Sequence, residues 1–125
     1  MELNEYQEKA MTTCLPSSNN FSYMFLNLVG EAGEFASKVA KAIRKDNLFI
    51  DNNVLSGKWK DEAICCAYID ELKKEAGDIL WQLSGVCTVM GWKLEDVAQM
   101  NLDKLSARKA VGTIDGSGDG IVRGK

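Results

Sequence analysis

The chain has 125 residues, of which 46% are apolar, and its formal net charge is −3. Its length and composition predict one globular domain with a buried core, and its acidic balance argues against nucleic acid as the main ligand. No apolar run reaches the roughly 18 residues that a membrane span needs, and the acidic first residues lack an apolar signal segment, so we expect a cytoplasmic protein without membrane partners.

The residue types that are missing narrow the chemistry further. Histidine is absent and the four cysteines show no CxxC spacing, so a zinc site is not expected. Neither acid–base catalysis by histidine nor a Ser-His triad can operate in such a chain. If the protein is an enzyme, carboxylates, lysines, arginines and a metal ion must carry its chemistry.

Apolar periodicity predicts helices joined by polar turns, because strand-like alternation is scarce and Pro16 is the single proline. The predicted helices cover residues 4–13, 21–45, 59–90 and 94–110. Residues 14–20 and the Asn- and Asp-rich residues 46–57 are predicted connectors, and Gly91 is expected to end the third helix.

The chain is therefore predicted to be all-α, with an antiparallel architecture that resembles a four-helix bundle. The helical domain is expected to cover residues 1–111. Residues 112–125 contain five glycines and are predicted to form a flexible tail.

The second and third predicted helices contain two nearly identical acidic motifs. They are Glu31-Ala-Gly-Glu34 and Glu75-Ala-Gly-Asp78. Positions i and i+3 lie on one face of a helix, about 5–6 Å apart. If the two helices pack together, four carboxylates surround one point, and like charges this close repel each other unless a cation lies among them. Because Mg²⁺ binds carboxylate oxygens, the repeated motif predicts a metal site formed by these four residues.

A single acidic pair at this spacing is a weak signal, because a chain with 18 acidic residues contains such pairs by chance. The plain alternative for either pair is a solvated helix face. Each pair also encloses a glycine, Gly33 or Gly77, which costs about 0.8–1 kcal/mol relative to alanine inside a helix. We interpret the repeated glycine as a sign that a neighbouring helix or a ligand approaches the backbone closely at both positions.

Helical periodicity places each acidic pair beside the apolar stripe of its own helix, on the same side in both. The predicted stripe of the second helix is Met24, Leu28, Ala32, Phe35, Val39 and Ala42. The predicted stripe of the third helix is Tyr68, Leu72, Ala76, Ile79, Leu83, Cys87 and Met90. The pairs are therefore expected to flank the packed seam, where a cleft between two helices would form, rather than to lie in it.

The fourth predicted helix carries Asn101, Lys104 and Arg108 along one edge, at i, i+3 and i+7. The two cations either complement the negative end of this last helix or, beside an acidic metal site, hold phosphate groups. Asn101 is predicted to fall within the apolar stripe of this helix, where an amide needs hydrogen-bond partners.

Three residues are candidates for contact with a nucleotide base. Trp81 lies one turn after Asp78 and offers a ring on which a base could stack, although a tryptophan is more often a core or interface residue. Tyr6 and Gln7 of the first predicted helix are placed to reach the same base.

The whole pattern resembles the MazG-like, all-α nucleoside triphosphate pyrophosphohydrolases, whose motif is ExxE followed after a spacer by ExxD. The motif is matched by Glu31-x-x-Glu34 and Glu75-x-x-Asp78. The family-like flanks are Leu28-Val-Gly-Glu-Ala-Gly-Glu-Phe35, Glu71-Leu-Lys-Lys-Glu-Ala-Gly-Asp-Ile-Leu-Trp81, Asn101-Leu-Asp-Lys104-Leu-Ser-Ala-Arg108 and the opening Leu3-Asn-Glu-Tyr-Gln7. The resemblance covers nearly the whole chain, but the spacer between the motifs is longer than is usual in the family. The extra length falls around residues 46–60 and bears on substrate choice more than on the metal centre.

The resemblance implies hydrolysis of a (deoxy)nucleoside triphosphate to the monophosphate and pyrophosphate, as nucleotide-pool house-cleaning. It implies Mg²⁺, with Mn²⁺ as a substitute, held by the carboxylates of the two motifs, and Glu34 as the residue that orients the attacking water. The expected substrate contacts are Asn101, Lys104, Arg108, Gln7 and Trp81. It further implies a homodimer or a dimer-of-dimers tetramer.

Two other interpretations are compatible with the same residues. One is a non-catalytic helical module that binds a nucleotide or a protein partner, and the other is a structural protein with an exposed acidic face. Release of pyrophosphate in the presence of Mg²⁺ would separate the enzyme from both alternatives.

Overall fold

The computed structural model describes residues 1–57 and 62–112, without the side chain of Glu62. Its elements are the helices α1 (Leu3–Met11), α2 (Phe21–Arg44), α3 (Glu62–Val89) and α4 (Leu94–Ala110), the strands β1 (Leu48–Asp51) and β2 (Val54–Gly57), and a short 3₁₀ turn at Pro16–Ser18. This mostly helical architecture confirms the predicted all-α class. The predicted tail lies outside the described residues, apart from Gly112. None of the described helices is both long and apolar enough to cross a membrane.

Local signals define the start of α2 and the end of α3. The Asn20 side-chain oxygen accepts a hydrogen bond from the Tyr23 N–H at 2.8 Å, which caps the first turn of α2. Gly91 follows α3 with a φ of 73°, and the Trp92 N–H donates to the Cys87 carbonyl at 2.7 Å. This left-handed residue and its backbone hydrogen bond form a Schellman motif, so the predicted end of the third helix is confirmed.

Residues 46–57, which the sequence predicts as an Asn- and Asp-rich connector, contain a β-hairpin. Asn52 and Asn53 both have positive φ, 51° and 59°, which matches a two-residue type I′ turn. The antiparallel register places Leu48 opposite Gly57. The connector prediction is wrong because the Asn-Asn pair forms a hairpin turn, and the short apolar runs on either side of it pair as strands.

The hairpin packs against one end of the α2–α3 pair and completes a small core there. Leu48 is only 1% exposed and packs with Ala42 of α2 and Leu72 of α3. Partly buried side chains surround these three residues, namely Phe35, Val39, Leu55, Tyr68 and Ile69. The long spacer therefore supplies part of the core.

Helix α3 lies close to Met24 of α2 at Gly85. A Cβ atom at this position would lie 2.2 Å from the Met24 sulfur, so a larger residue would force the buried Met24 side chain to move. By contrast, a Cβ atom at Gly33 or at Gly77 would meet nothing within 4 Å. The expectation that a neighbouring helix approaches Gly33 and Gly77 is therefore wrong within the described part of one chain. The open surface at both glycines leaves room for a ligand or for a second copy of the chain.

Helix α1 packs across α3 and also contacts α4. The buried residue of α4 is Leu94, in its first turn, whereas Asn101 and Leu102 are exposed. The prediction that Asn101 lies on a packed apolar face is wrong, because α4 packs chiefly against the short α1, which leaves much of its length in water.

Candidate metal centre

Three of the four predicted carboxylate ligands converge where α2 lies against α3. Glu31 and Glu34 project from α2 and Glu75 projects from α3, and one oxygen atom of each lies within 4.8 Å of the others. Small side-chain movements would bring these oxygens to the separations at which one divalent ion touches all three. We call Glu31, Glu34 and Glu75 the acidic cluster.

Asp78, the fourth predicted ligand, lies outside this group of three but close to it. It follows Glu75 by three residues on α3 and is exposed. Burial, and then the charge of Asp78, raises the pKa of the Tyr6 hydroxyl. The same charge also acts on Glu31. Asp78 therefore lies near both the acidic cluster and α1.

The electrostatics of Glu31 reflect the crowding of carboxylates. Burial raises the pKa of Glu31, and the charges of Asp78, Glu34 and Glu75 raise it further, while a hydrogen bond from Asn27 lowers it. Such a shift is expected where like charges are held together without enough positive charge between them.

Two carboxylate oxygens of the acidic cluster are placed as ligands of a cation would be. Oε2 of Glu31 and Oε2 of Glu75 are buried and have no hydrogen-bond partner among the described residues. A buried polar atom without a partner costs about 1–3 kcal/mol, and more when it is charged. Because a bound divalent ion would satisfy such oxygens, the residues present fit a metal ion.

Lys38 also belongs to the site, and the sequence reasoning missed it. Its Nζ donates a hydrogen bond to Oε1 of Glu75 and lies 4.0 Å from Oε1 of Glu34. The hydrogen bond to Glu75 raises the pKa of Lys38, and the charge of Glu34 adds to the effect. The available signal was its position four residues after Glu34, which places the two side chains on one helix face.

The burial of Glu75 corrects the predicted position of the second acidic pair. Glu75 is 6% exposed and lies in the seam itself, whereas Asp78 is exposed beside it. The predicted stripe of the third helix is partly wrong, because Ala76, Leu83 and Met90 are exposed. Helix α3 instead turns Glu75 and Gln82 toward α2, where polar partners meet both.

An amide chain connects the seam to the acidic cluster. Nδ2 of Asn27 donates to Oε1 of Gln82 at 2.8 Å and lies 3.5 Å from Oε1 of Glu31. The buried Gln82 in turn donates to the Met24 carbonyl at 3.3 Å. Hydrogen bonds of this kind orient the carboxylates that hold a metal, so Asn27 is placed to fix the position of Glu31.

Gln7, a predicted base contact, is hydrogen-bonded within the fold. Its Nε2 donates to Oγ1 of Thr88 and to the Trp92 carbonyl, both at 3.0 Å. Its Oε1 accepts from the Leu94 N–H at 2.8 Å. The side chain thereby joins α1 to the corner between α3 and α4, and its contact with a substrate stays a prediction.

Trp81, the predicted stacking residue, is also tied to α1. Its indole N–H lies 2.9 Å from Oγ1 of Thr13 and 3.1 Å from the Ala10 carbonyl, and it donates to both. These bonds fasten α3 to the C-terminal end of α1. The structure thus gives Trp81 a place in helix packing, and stacking on a base stays a prediction.

The three candidate phosphate ligands lie on a different element from the acidic cluster. Asn101 and Lys104 are exposed and Arg108 is half-buried. Helix α4, which carries them, packs chiefly on α1, while the carboxylates lie on α2 and α3. Their role in binding phosphate stays a prediction.

The all-α fold brings carboxylates of the ExxE and ExxD motifs together where α2 packs against α3. The chain belongs to the MazG nucleotide pyrophosphohydrolase domain family, whose model matches residues 19–112. This range runs from the start of α2 to the end of α4 and leaves α1 outside. The resemblance seen in the sequence is thereby confirmed.

A similar protein is the "Gene 37 protein" of Mycobacterium phage L5, which is 35% identical over 126 residues. The similarity covers 95% of this chain and 98% of the phage protein. No solved structure matches the chain. Membership of the family supports nucleotide pyrophosphohydrolase activity and is consistent with the divalent-metal dependence that is typical of the family.

Proposed function

We propose that the protein hydrolyses (deoxy)nucleoside triphosphates to the monophosphate and pyrophosphate in the presence of Mg²⁺, as a cytoplasmic house-cleaning enzyme. The observation that carries this proposal is the convergence of three carboxylates, two of which have a buried oxygen without a partner among the described residues. In a chain of this family, such a convergence supports a metal-dependent hydrolase.

Glu31, Glu34 and Glu75 would hold the ion, with Asp78 as a fourth carboxylate beside them. Mg²⁺ suits these hard oxygen donors, and Mn²⁺ would be a substitute. When bound, the ion neutralises phosphate charge and lowers the pKa of a bound water. Asn27 would keep Glu31 in position for this role.

Glu34 is the proposed base because its side chain is 54% exposed, whereas Glu31 and Glu75 each turn an oxygen into the buried seam. Glu34 would accept a proton from the attacking water. The water oxygen then bonds to one phosphorus of the α–β bridge while the bond from that phosphorus to the bridging oxygen breaks, and the monophosphate and pyrophosphate separate. Lys104 and Arg108 would stabilise the charge on the phosphate chain, and Asn101 would contact sugar or phosphate oxygens.

We further propose a homodimer, or a dimer of dimers, that covers the outer face of α2. On this face Leu26 is 67% exposed and Val29 is 63% exposed, and Phe25 lies beside them. An apolar patch of this kind on a small protein marks an interaction surface. Gly33 continues the face toward the acidic cluster, and its open backbone leaves room for a second copy. In sedimentation equilibrium, Leu26→Glu should shift the parent oligomer toward monomer, and an unchanged mass would contradict this interface.

The deciding experiment assays a panel of dNTPs and NTPs for pyrophosphate release, with Mg²⁺ and with EDTA. The parent should turn over at least one nucleotide with Mg²⁺ and none with EDTA, and Glu34→Gln and Asp78→Asn should be impaired. Unchanged turnover in both variants would refute the mechanism. Nucleotide binding without pyrophosphate release would favour the non-catalytic module instead.

A further inference from the structure

Lys38 places its ammonium group on a carboxylate of the acidic cluster that would hold the metal ion. Its ammonium group is hydrogen-bonded to Oε1 of Glu75 and lies 4.0 Å from Oε1 of Glu34. A divalent ion bound to Glu75, whether through Oε1 or through the unpartnered Oε2, would lie close to this ammonium group, because both oxygens belong to one carboxylate. An ammonium and a divalent ion at such a short separation repel each other in a partly buried site, so binding of the ion weakens the hydrogen bond from Lys38 to Glu75.

The two partners of this ion pair differ in their freedom to move. The side chain of Glu75 is only 8% exposed, whereas that of Lys38 is 39% exposed. A lysine stem is flexible and its ammonium is readily hydrated, so Lys38 can swing into water while Glu75 stays in the seam. If the pair opens, Lys38 is the residue that leaves.

We propose that Lys38 is the resident counter-ion of the acidic cluster and that a divalent metal ion displaces its ammonium group from Glu75. The metal-free protein then keeps its buried carboxylate neutralised, and the affinity for the metal is set by an exchange of cations rather than by the carboxylates alone. Lys38 is thus a positioning residue that acts through Glu75. This inference rests on the proposed metal centre.

Amine labelling of the parent protein tests the displacement without any substitution. The protein is treated with an acylating reagent in EDTA and in saturating Mg²⁺, and the modified lysines are measured by peptide mass spectrometry. Labelling of Lys38 should rise several-fold with Mg²⁺, while Lys41, an exposed lysine on the same helix, should not change and serves as the internal control. Equal protection of Lys38 in both conditions would overturn the exchange.

Titration calorimetry with Mg²⁺ alone gives the second readout. Lys38→Met should bind Mg²⁺ about tenfold more tightly than the parent, which corresponds to about 1.4 kcal/mol, and it should melt at a lower temperature than the parent in EDTA. Lys41→Met removes the same charge at an exposed position and should leave the affinity near that of the parent. Equal tightening in both variants would show a general charge effect and overturn the exchange.

Failure of the metal centre itself is recognised separately. If the parent gains no thermal stability from millimolar Mg²⁺, the proposed metal site and the displacement of Lys38 by the metal are both refuted. If the parent gains stability from Mg²⁺ but Lys38→Met binds the ion no more tightly, the metal centre stands and the exchange is refuted.

Discussion

The polar side chains of the α2–α3 seam and those of the α1 corner differ in how completely they are hydrogen-bonded. At the corner, Gln7 uses its donor and its acceptor, and the indole N–H of Trp81 reaches two acceptors. In the seam, Glu31 and Glu75 each keep a buried oxygen without a partner among the described residues.

This difference separates groups that hold the fold together from groups that await a ligand. A satisfied hydrogen bond contributes about 0.5–1.5 kcal/mol to stability, whereas an unsatisfied buried group costs about 1–3 kcal/mol. The corner therefore stabilises the folded chain as it stands. The seam carries a penalty that a bound cation would remove, and four predictions test this contrast.

The largest effect is expected at the buried end of the acidic cluster. Glu75→Gln should reduce pyrophosphate release at saturating Mg²⁺ by about a hundredfold or more, because a neutral amide is a poor metal ligand. Glu71→Gln is the control, since Glu71 lies one turn earlier on α3, outside the acidic cluster, and pairs with Lys74 at the surface at 3.2 Å. Full activity in Glu75→Gln, or an equal loss in the control, would contradict the role of the seam.

A smaller effect is expected at Asn27, which is hydrogen-bonded to the proposed ligand Glu31. Asn27→Ala should weaken Mg²⁺ binding by about 10- to 100-fold, because Glu31 would lose the amide that orients it. The measurement is the Mg²⁺ concentration that half-saturates the thermal shift. An unchanged midpoint would show that Asn27 only bridges the helices through Gln82.

The corner should respond in stability rather than in chemistry. Two substitutions should each lower the free energy of unfolding in urea by about 1–3 kcal/mol. They are Gln7→Ala and Trp81→Phe, and the second removes the indole N–H and one of the two rings. At temperatures well below melting, the KM for nucleotide separates helix packing from the predicted base contacts, because it stays near that of the parent if the two residues serve packing alone. A large rise in KM at unchanged stability would confirm them as base contacts.

The smallest effect concerns pH and the metal-free protein. Burial and neighbouring carboxylates raise the pKa of Glu31 above its ordinary value of 4.5. The folded chain therefore binds this proton more tightly than the unfolded chain does, and protonation of Glu31 stabilises the folded state. Its contribution is present below pH 4.5 and is lost as the pH rises through the raised pKa. In EDTA, Glu31→Gln should therefore gain stability relative to the parent as the pH is raised from about 4 to about 7. The comparison is made by thermal melting, and a difference independent of pH would contradict the crowding of carboxylates.

Much of the fold was predictable because it depends on local signals. Periodic apolar residues located the four helices of the described residues, and Gly91 marked the end of α3. The hairpin was missed because its strands are short, and only packing of Leu48 against Ala42 and Leu72 makes them stable.

The site was predictable in its residue types and less so in its arrangement. The repeated i,i+3 spacing identified Glu31, Glu34 and Glu75 because three residues nearly complete a helical turn. It could not reveal that Glu75 is buried while Glu34 is exposed, since that depends on how α3 is rotated against α2. Lys38 was missed because a lysine on a helix face is ordinary until a carboxylate from another helix meets it.

The sequence alone determined the helical class, the family and the carboxylates, since helix periodicity and motif spacing are properties of neighbouring residues. Only the tertiary structure decided which polar groups are satisfied. Packing of α1 on α3 engages Gln7 and Trp81, while packing of α2 on α3 buries Glu75 and brings Lys38 to it. Whether a polar group has a partner depends on atoms that are distant in the chain, and that is why the role of each group became visible only in the folded protein.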